Sequence, residues 1–296
     1  MTIGILTDST CDLPDSIIKD YNIEFIPLTV RIGNRQYKDK IEITSNQFFS
    51  QIKSSEVMPT TSQPSAGEFS TKYAELNEKY DHIISIHLSS HLSGTIQSAK
   101  LALKENPDYN VTIIDSRSAS MGLGFLVILA SKLVRSGFEK EHIIKILNEA
   151  KQEIEIYLTV DDLSFLQKGG RINKAQSFIG NLINLKPVLK LDFNSKSVEP
   201  IDKVRGTKKT HNKILEFVDD YISKDNIENN YWFGLLYGEK EYAETFKDKF
   251  QQTIDKKKCD YEYYENNVGP VIGSHTGPTV YGIILFKGGK YLNEQI

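Results

Sequence analysis

Cysteine is scarce in this chain. The 296 residues hold two, Cys11 and Cys259, with no Cys-x-x-Cys pair. That excludes a disulfide framework and points to a reducing setting. Long apolar runs are missing too. The most apolar stretch, Gly122 to Ala130, is nine residues, too short to span a bilayer. The first residues show neither the basic start nor the apolar core of a secretion signal. A cytoplasmic setting without stable membrane insertion is therefore expected. No charge sign dominates: lysine plus arginine total 36 against 39 aspartate plus glutamate, for a formal net charge of −3. This balance argues against a nucleic-acid partner, which needs a basic face, and against adhesion to an anionic bilayer by charge alone.

Familiar catalytic motifs are absent as well. There is no His-Glu-x-x-His. His87 and His91 are four apart, but a predicted strand ends between them, so they share no helical face and no metal site is expected. No Gly-x-x-x-x-Gly-Lys-Ser/Thr phosphate loop occurs, and Gly122-Leu123-Gly124 lacks the third glycine of a dinucleotide fingerprint. Gly273-Ser274-His275-Thr276-Gly277 centres on a histidine, not a serine, so it is no nucleophile elbow. Nothing here calls for a cofactor.

What the chain does have is 39% apolar residues in a regular pattern. Ile3–Leu6, Phe25–Val30, His82–Leu88 and Val111–Ile114 read as strands. Helical patterns lie between and after them, at about Leu13–Asp20, Asn46–Lys53, Ala66–Lys79, Thr95–Lys104 and Leu123–Ser136. Strands alternating with helices predict a parallel sheet with crossover helices. After a charged helix at Glu139–Ile154 the pattern changes. Ile156–Val160 reads as a strand, and Pro187–Asp192 with Ser197–Val204 as a hairpin about a turn at Phe193–Lys196. Tyr231–Tyr237, Tyr261–Glu265 and Thr279–Phe286 read as further strands, with helices at Lys208–Ile222 and Glu239–Ile254. The prediction is an α/β protein of two domains. Residues 1–155 form a Rossmann-like parallel-sheet domain, and residues 156–296 a mixed-sheet α/β domain.

Three predicted strands of the first half run into hydroxyl-rich loops, at Asp8–Pro14, Ser89–Thr95 and Asp115–Ser120. In an open parallel sheet these loops share the carboxyl edge, where ligands bind, and the free N–H groups of helix starts favour an anion there. Ordinary helix capping explains any one such loop equally well. Ser93-Gly94-Thr95 is the sharpest, with two hydroxyls to bond an anion and a glycine to admit it closely. Pro59–Ser65, containing Thr61 and Ser62, is a second hydroxyl loop or a plain connector. Val268–Pro278, with three glycines and two prolines, reads as a tight loop presenting His275 among small residues.

The segments Thr7–Pro14, Thr61–Ser65, Leu92–Thr95, Lys168–Ile172, Lys203–Gly206 and Gly273–Pro278 together resemble the DegV family of bacterial fatty-acid-binding proteins, the lipid-binding subunits of fatty-acid kinase. The resemblance implies a two-domain α/β protein that buries one long-chain fatty acid in an apolar tunnel. It implies that Thr61 and Ser93 hold the carboxylate, with the Gly94 backbone and His275 nearby. Ser62 and Thr95 lie in the same matching segments. Arg171 and Arg205 resemble positions at the head-group end, where they would aid docking of the kinase or orient the phosphate; surface salt bridges are the plain alternative. The implied partners are a fatty-acid kinase catalytic subunit, which phosphorylates the bound carboxylate, and an acyltransferase that uses the acyl phosphate for phospholipid synthesis. The chain itself is then not an enzyme. The competing expectation is an autonomous enzyme on a small acyl or anionic substrate, with Ser93 as nucleophile and His275 as base.

Overall fold

The computed structural model describes residues 1–55, 57–172, 185–193, 197–223 and 230–293. Strand β1 (Ile3–Asp8) is followed by a 3-10 turn at Ser9–Cys11, helix α1 (Asp15–Asp20), and strands β2 (Glu24–Ile26), β3 (Thr29–Ile32) and β4 (Arg35–Lys38). Then come α2 (Ser45–Lys53), β5 (Thr60–Ser62), α3 (Ala66–Asn77), β6 (His82–His87), α4 (Thr95–Glu105), β7 (Val111–Asp115), α5 (Met121–Arg135) and α6 (Lys140–Ala150). The remainder comprises β8 (Glu155–Thr159), α7 (Ser164–Lys168), β9 (Leu185–Asp192), β10 (Ser197–Arg205), α8 (Thr207–Ser223) and β11 (Tyr231–Tyr237). It ends with α9 (Lys240–Lys257), β12 (Tyr261–Asn267), α10 (Pro270–Thr276), β13 (Tyr281–Phe286) and α11 (Lys290–Asn293).

Among the described residues the strands form three sheets. The first has the order β2-β1-β6-β7 and is parallel throughout. The second, β10-β9-β8-β13-β11-β12, is antiparallel except for the β11/β12 pair. These are the parallel and mixed sheets that the alternation predicts. The third, β4-β3-β5, is small and antiparallel.

Three local expectations change. Phe25–Val30 is not one strand: Pro27 has no N–H for a ladder and divides it. β2 stays in the parallel sheet, while β3 leaves to pair with β4 and β5. The hydroxyl segment around Thr61 is therefore a strand edge and not a free loop. Val268–Pro278 is mostly helical. Pro270 sits at the first helical position of α10, where its missing N–H costs nothing, and Gly277, at φ +76°, ends the helix. The hairpin is present, but residues 194–196 of its predicted turn lie outside the described residues.

Period-two alternation divides the mixed sheet into two faces. Tyr231, Phe233, Leu235, Ile283 and Leu285 face α8 and α9 in one core. Trp232, Leu236, Ile284, Phe286 and Leu191 face the other way, into a core shared with Ile5, Ile84 and Ile86 of the parallel sheet. Between the sheets lies α5, touching β1 and β6 on one side and β11 and β13 on the other. All its residues from Met121 to Ser131 are buried. A Cβ at Gly124 would come within 2.7 Å of the Cys11 carbonyl, so the glycines read as a weak nucleotide motif serve close packing instead.

His211 of α8 is buried in the second core, its ring 5.5 Å from those of both Phe246 and Tyr281. Neither ring nitrogen has a hydrogen-bond partner. Burial, with Lys249 and Lys186 nearby, lowers its pKa from 6.5 to about 4. Below pH 6.5 the unfolded chain takes up a proton that the folded chain refuses. Stability is thus lost as pH falls from 6.5 towards about 4, by on the order of 2–3 kcal/mol. Thermal melts across this range are expected to show a shallower pH dependence for His211→Phe than for the parent; equal slopes would refute this assignment.

Candidate functional site

A cavity lies at the carboxyl edge of the parallel sheet, where that edge meets the face of the mixed sheet that shares its core. The space between its walls, with the adjoining solvent at the mouth, is about 1020 Å³. The edge loops contribute Leu88, Leu92, Ser93, Ala119 and Ser120. The mixed sheet contributes an apolar wall: Ile156 and Leu158, Leu191, Val198, Leu236 and Ile284. The small sheet adds Thr61 and Ser62, and α10 adds Val271, Ile272, His275 and Thr276. Two of the three predicted edge loops therefore reach the cavity. The first, Asp8–Pro14, does not line it; its polar groups are buried in the joint behind the wall.

Polar groups converge at one place on an otherwise apolar wall. Thr61 Oγ1 is 2.9 Å from His275 Nε2. Ser93 Oγ is 2.9 Å from Thr95 Oγ1 and accepts the Thr95 N–H at 3.3 Å. Arg171 lines the same cavity, its guanidinium donating to the Leu92 carbonyl at 3.0 and 2.8 Å and to the Gly169 carbonyl at 2.6 Å. It is thus an inward residue braced on backbone, and it fixes the turn that carries Ser93. The sequence motifs meet here physically. Gly94 admits the Gln63 side chain, since a Cβ there would lie 2.5 Å from the Gln63 amide nitrogen. Its glycine serves this contact between loops. Gly169 makes room for His275, since a Cβ there would lie 2.3 Å from Nδ1.

The imidazole is held neutral. Burial, reinforced by the Arg171 charge, lowers the His275 pKa from 6.5 to about 4. Nδ1 has no partner, so placing the proton on Nε2 leaves no N–H unpaired. Nε2–H then donates to Thr61, whose own hydroxyl proton is free to turn into the cavity. Thr95 can back Ser93 in the same way. Two hydroxyl donors, each supported from behind, can hydrogen-bond a carboxylate or similar anion.

Of the residues expected at the site, Thr61, Ser62, Ser93, Arg171 and His275 line one cavity. Thr95 is buried behind Ser93. Gly94 lies between them in the chain, off the cavity lining. Arg205 is elsewhere. It ends β10 opposite Leu185, whereas the wall residues Leu191 and Val198 pair at the other end of the same hairpin. It is exposed there. Ser93 and His275, the nucleophile and base of the enzyme alternative, bond to Thr95 and Thr61 and not to each other. Among the described residues His275 Nδ1 is unpartnered and no third group orients the base, so the triad pattern is not met there. Gln63, inside a matching segment, and Ala119 and Ser120, inside a predicted edge loop, line the cavity without having been singled out as site residues. So does the apolar wall, whose signal was the alternation in β8 and β13.

The DegV family model, described as "Uncharacterised protein, DegV family", matches residues 2–288. The chain belongs to the DegV family. It is 36% identical over 287 residues to Protein DegV of Bacillus subtilis, covering 96% of this chain and 98% of that one. A solved structure described as fatty acid binding of a DegV family protein from Thermus thermophilus superposes with a TM-score of 0.88 at 36% identity, covering 97% of this chain and 99% of that one. The crystal structure of DegV, a fatty acid binding protein from Bacillus subtilis, gives 0.85 at 35% identity, covering 97% and 99%. No helix among the described residues is long and apolar enough to cross a membrane.

The fit of Gly169 to the imidazole is testable in this DegV protein. Gly169→Ala is expected to push the ring off Thr61 and let in water, so the His275 titration midpoint rises from about 4 towards 6.5. Ring-proton NMR across pH measures this; an unmoved midpoint would show that the close approach is not what buries the ring.

Proposed function

We propose that this chain binds a long-chain fatty acid in the cavity and presents its carboxylate to a separate ATP-dependent kinase. The observation that carries the reading is the pairing of an apolar wall with two backed hydroxyls, Thr61 and Ser93, at its polar end. The DegV relatives described as fatty-acid-binding support the ligand class. Burying about fifteen methylenes contributes on the order of 12 kcal/mol, offset in part by lost motion. The carboxylate needs donors, since an unpaired buried charge is costly. The hydroxyls of Thr61 and Ser93 supply them, and Arg171 adds a positive potential while three of its five N–H groups stay on carbonyls.

Such a cradle leaves a carboxylate oxygen free to react. In the proposed transfer that oxygen attacks the γ-phosphorus of ATP held by the kinase. A new O–P bond forms, the bond to ADP breaks, and ADP leaves. The acyl phosphate then passes to an acyltransferase for phospholipid synthesis. This chain contributes binding, orientation and exclusion of water, with catalysis left to the kinase. The exposed Arg205, away from the cavity, fits a contact with the partner better than a contact with the head group.

Organic extraction of the purified protein followed by mass spectrometry is expected to release near-stoichiometric fatty acid. Thr61→Ala and Ser93→Ala are each expected to weaken fatty-acid binding about tenfold or more, with the fold retained by circular dichroism. Absence of bound lipid together with no uptake of added fatty acid would overturn the binding reading. Failure of any kinase subunit to consume ATP on the loaded protein would overturn the presentation step alone.

A further inference from the structure

A cluster of buried charges lies behind the cavity wall, where the first loop, the segment after β4 and the start of α10 meet. Asp12 and Asp39 are both fully buried. The Lys40 ammonium is 3.1 Å from Asp12 Oδ1. The same oxygen accepts the Gly269 N–H at 2.9 Å, and the Ser120 hydroxyl donates to the other. A Cβ at Gly269 would lie 2.9 Å from both Asp12 Oδ1 and Lys40 Cε, so a side chain there would wedge the joint open. Asp12 thereby ties Ser120 of the cavity wall to the residue that begins α10, the helix carrying His275.

Asp39 is the odd member. The cluster has two carboxylates and one ammonium, and the ammonium sits on Asp12. Among the described residues neither Asp39 oxygen has a well-formed hydrogen bond; the Ser9 hydroxyl and the Val271 N–H of α10 face them and favour the charged form, but by less than burial disfavours it. The Asp39 N–H holds the carbonyl of Leu28 at 2.9 Å. Leu28 and Val271 both line the cavity. An uncompensated carboxyl group therefore stands directly behind the wall of a site built for an anion.

Resting on the fatty-acid reading, we propose that Asp39 is a positioning residue whose protonation sets the affinity of the cavity for a carboxylate ligand. With the proton on, the cluster is neutral. With the proton off, a buried negative charge repels the entering carboxylate and draws on the first N–H groups of α10, which moves the helix that holds His275. Burial pushes the Asp39 carboxyl up to about 7 against the opposing pull of Lys40, so the change falls near neutrality. The other titratable groups at the cluster are Asp12, Cys11 and Lys40. Asp12 is held by Lys40, Gly269 and Ser120. Burial lifts the Cys11 thiol to about 11. Lys40 is raised by Asp12 despite its own burial. The facing end of α10, Gly269 to Ile272, brings no titratable side chain. By linkage, ligand and proton must favour each other equally.

Calorimetric titration of the full chain, first stripped of co-purified lipid, with dodecanoate below its micellar concentration, in buffers of different ionisation enthalpy near pH 7.5, reads this coupling directly. The parent is expected to take up a fraction of a proton per ligand. Its affinity is expected to fall about fivefold between roughly pH 6.5 and 8.5. Asp39→Asn, isosteric with the protonated acid, is expected to lose most of the uptake and to bind with a flat pH profile. Binding without proton uptake in the parent, or undiminished uptake in Asp39→Asn, overturns the proposal. A parent that does not bind dodecanoate at all overturns the fatty-acid reading and the proposal with it.

Discussion

A helix that is apolar on every side has no face to give to water, and the arrangement of this protein follows from one such helix. α5 is buried without a break from Met121 to Ser131. One sheet could cover only half of it. The parallel sheet covers one side and the mixed sheet the other, so the two sheets must lie on a common core. That core runs from Ile5 near the start of the chain to Tyr291 near its end. The residues just before α5, Ala119 and Ser120, are thereby carried to the place where the sheets diverge. The cavity begins there. It is the part of the interface between sheets that no helix fills.

The polar end of the cavity depends on a second constraint. Burying hydroxyls, an imidazole and a guanidinium against apolar walls is costly unless each is bonded. The chain satisfies them through partners distant in sequence: His275 with Thr61, and Arg171 with the Leu92 carbonyl. These bonds join segments from the first and second halves of the chain, so the site exists only when both halves are in place. Asp12, with Gly269 and Ser120, performs the same joining one layer behind.

This division explains what was legible in the sequence. The sheets were readable because alternation of strands with helices, and period-two patterning within strands, are local signals. The break at Pro27 was misread because a proline inside an apolar run can end a strand or sit on its edge. The helix Pro270–Thr276 was misread as a loop because its glycines and prolines look like turn residues, while their use is at its first position and its end. The residues around the polar end were found from motif resemblance, but their bonds were not. Gly94 shows the difference. Its glycine was read as close approach to a ligand, and its Cβ space is taken by Gln63. A contact between residues 63 and 94 leaves no periodic trace in the chain.

The chemistry of the cradle bears on why hydroxyls, and not a direct salt bridge, face the cavity. Arg171 is near enough to supply a fixed pair to an anion, yet three of its five N–H groups, one on each nitrogen, are already committed to two carbonyls. A buried bidentate ion pair would hold a carboxylate firmly and draw electron density from both oxygens. It would also leave an uncompensated guanidinium whenever the ligand departed. Neutral donors avoid both penalties. Thr61 and Ser93 can bond a carboxylate on arrival and turn back to their neighbours on departure, since each already has a partner behind it. His275 must be neutral for this exchange, because an imidazolium would make the site a permanent ion pair, and the burial that Gly169 allows keeps it so. A protein that must both hold and surrender its ligand is better served by hydroxyls backed by a neutral ring than by a charge.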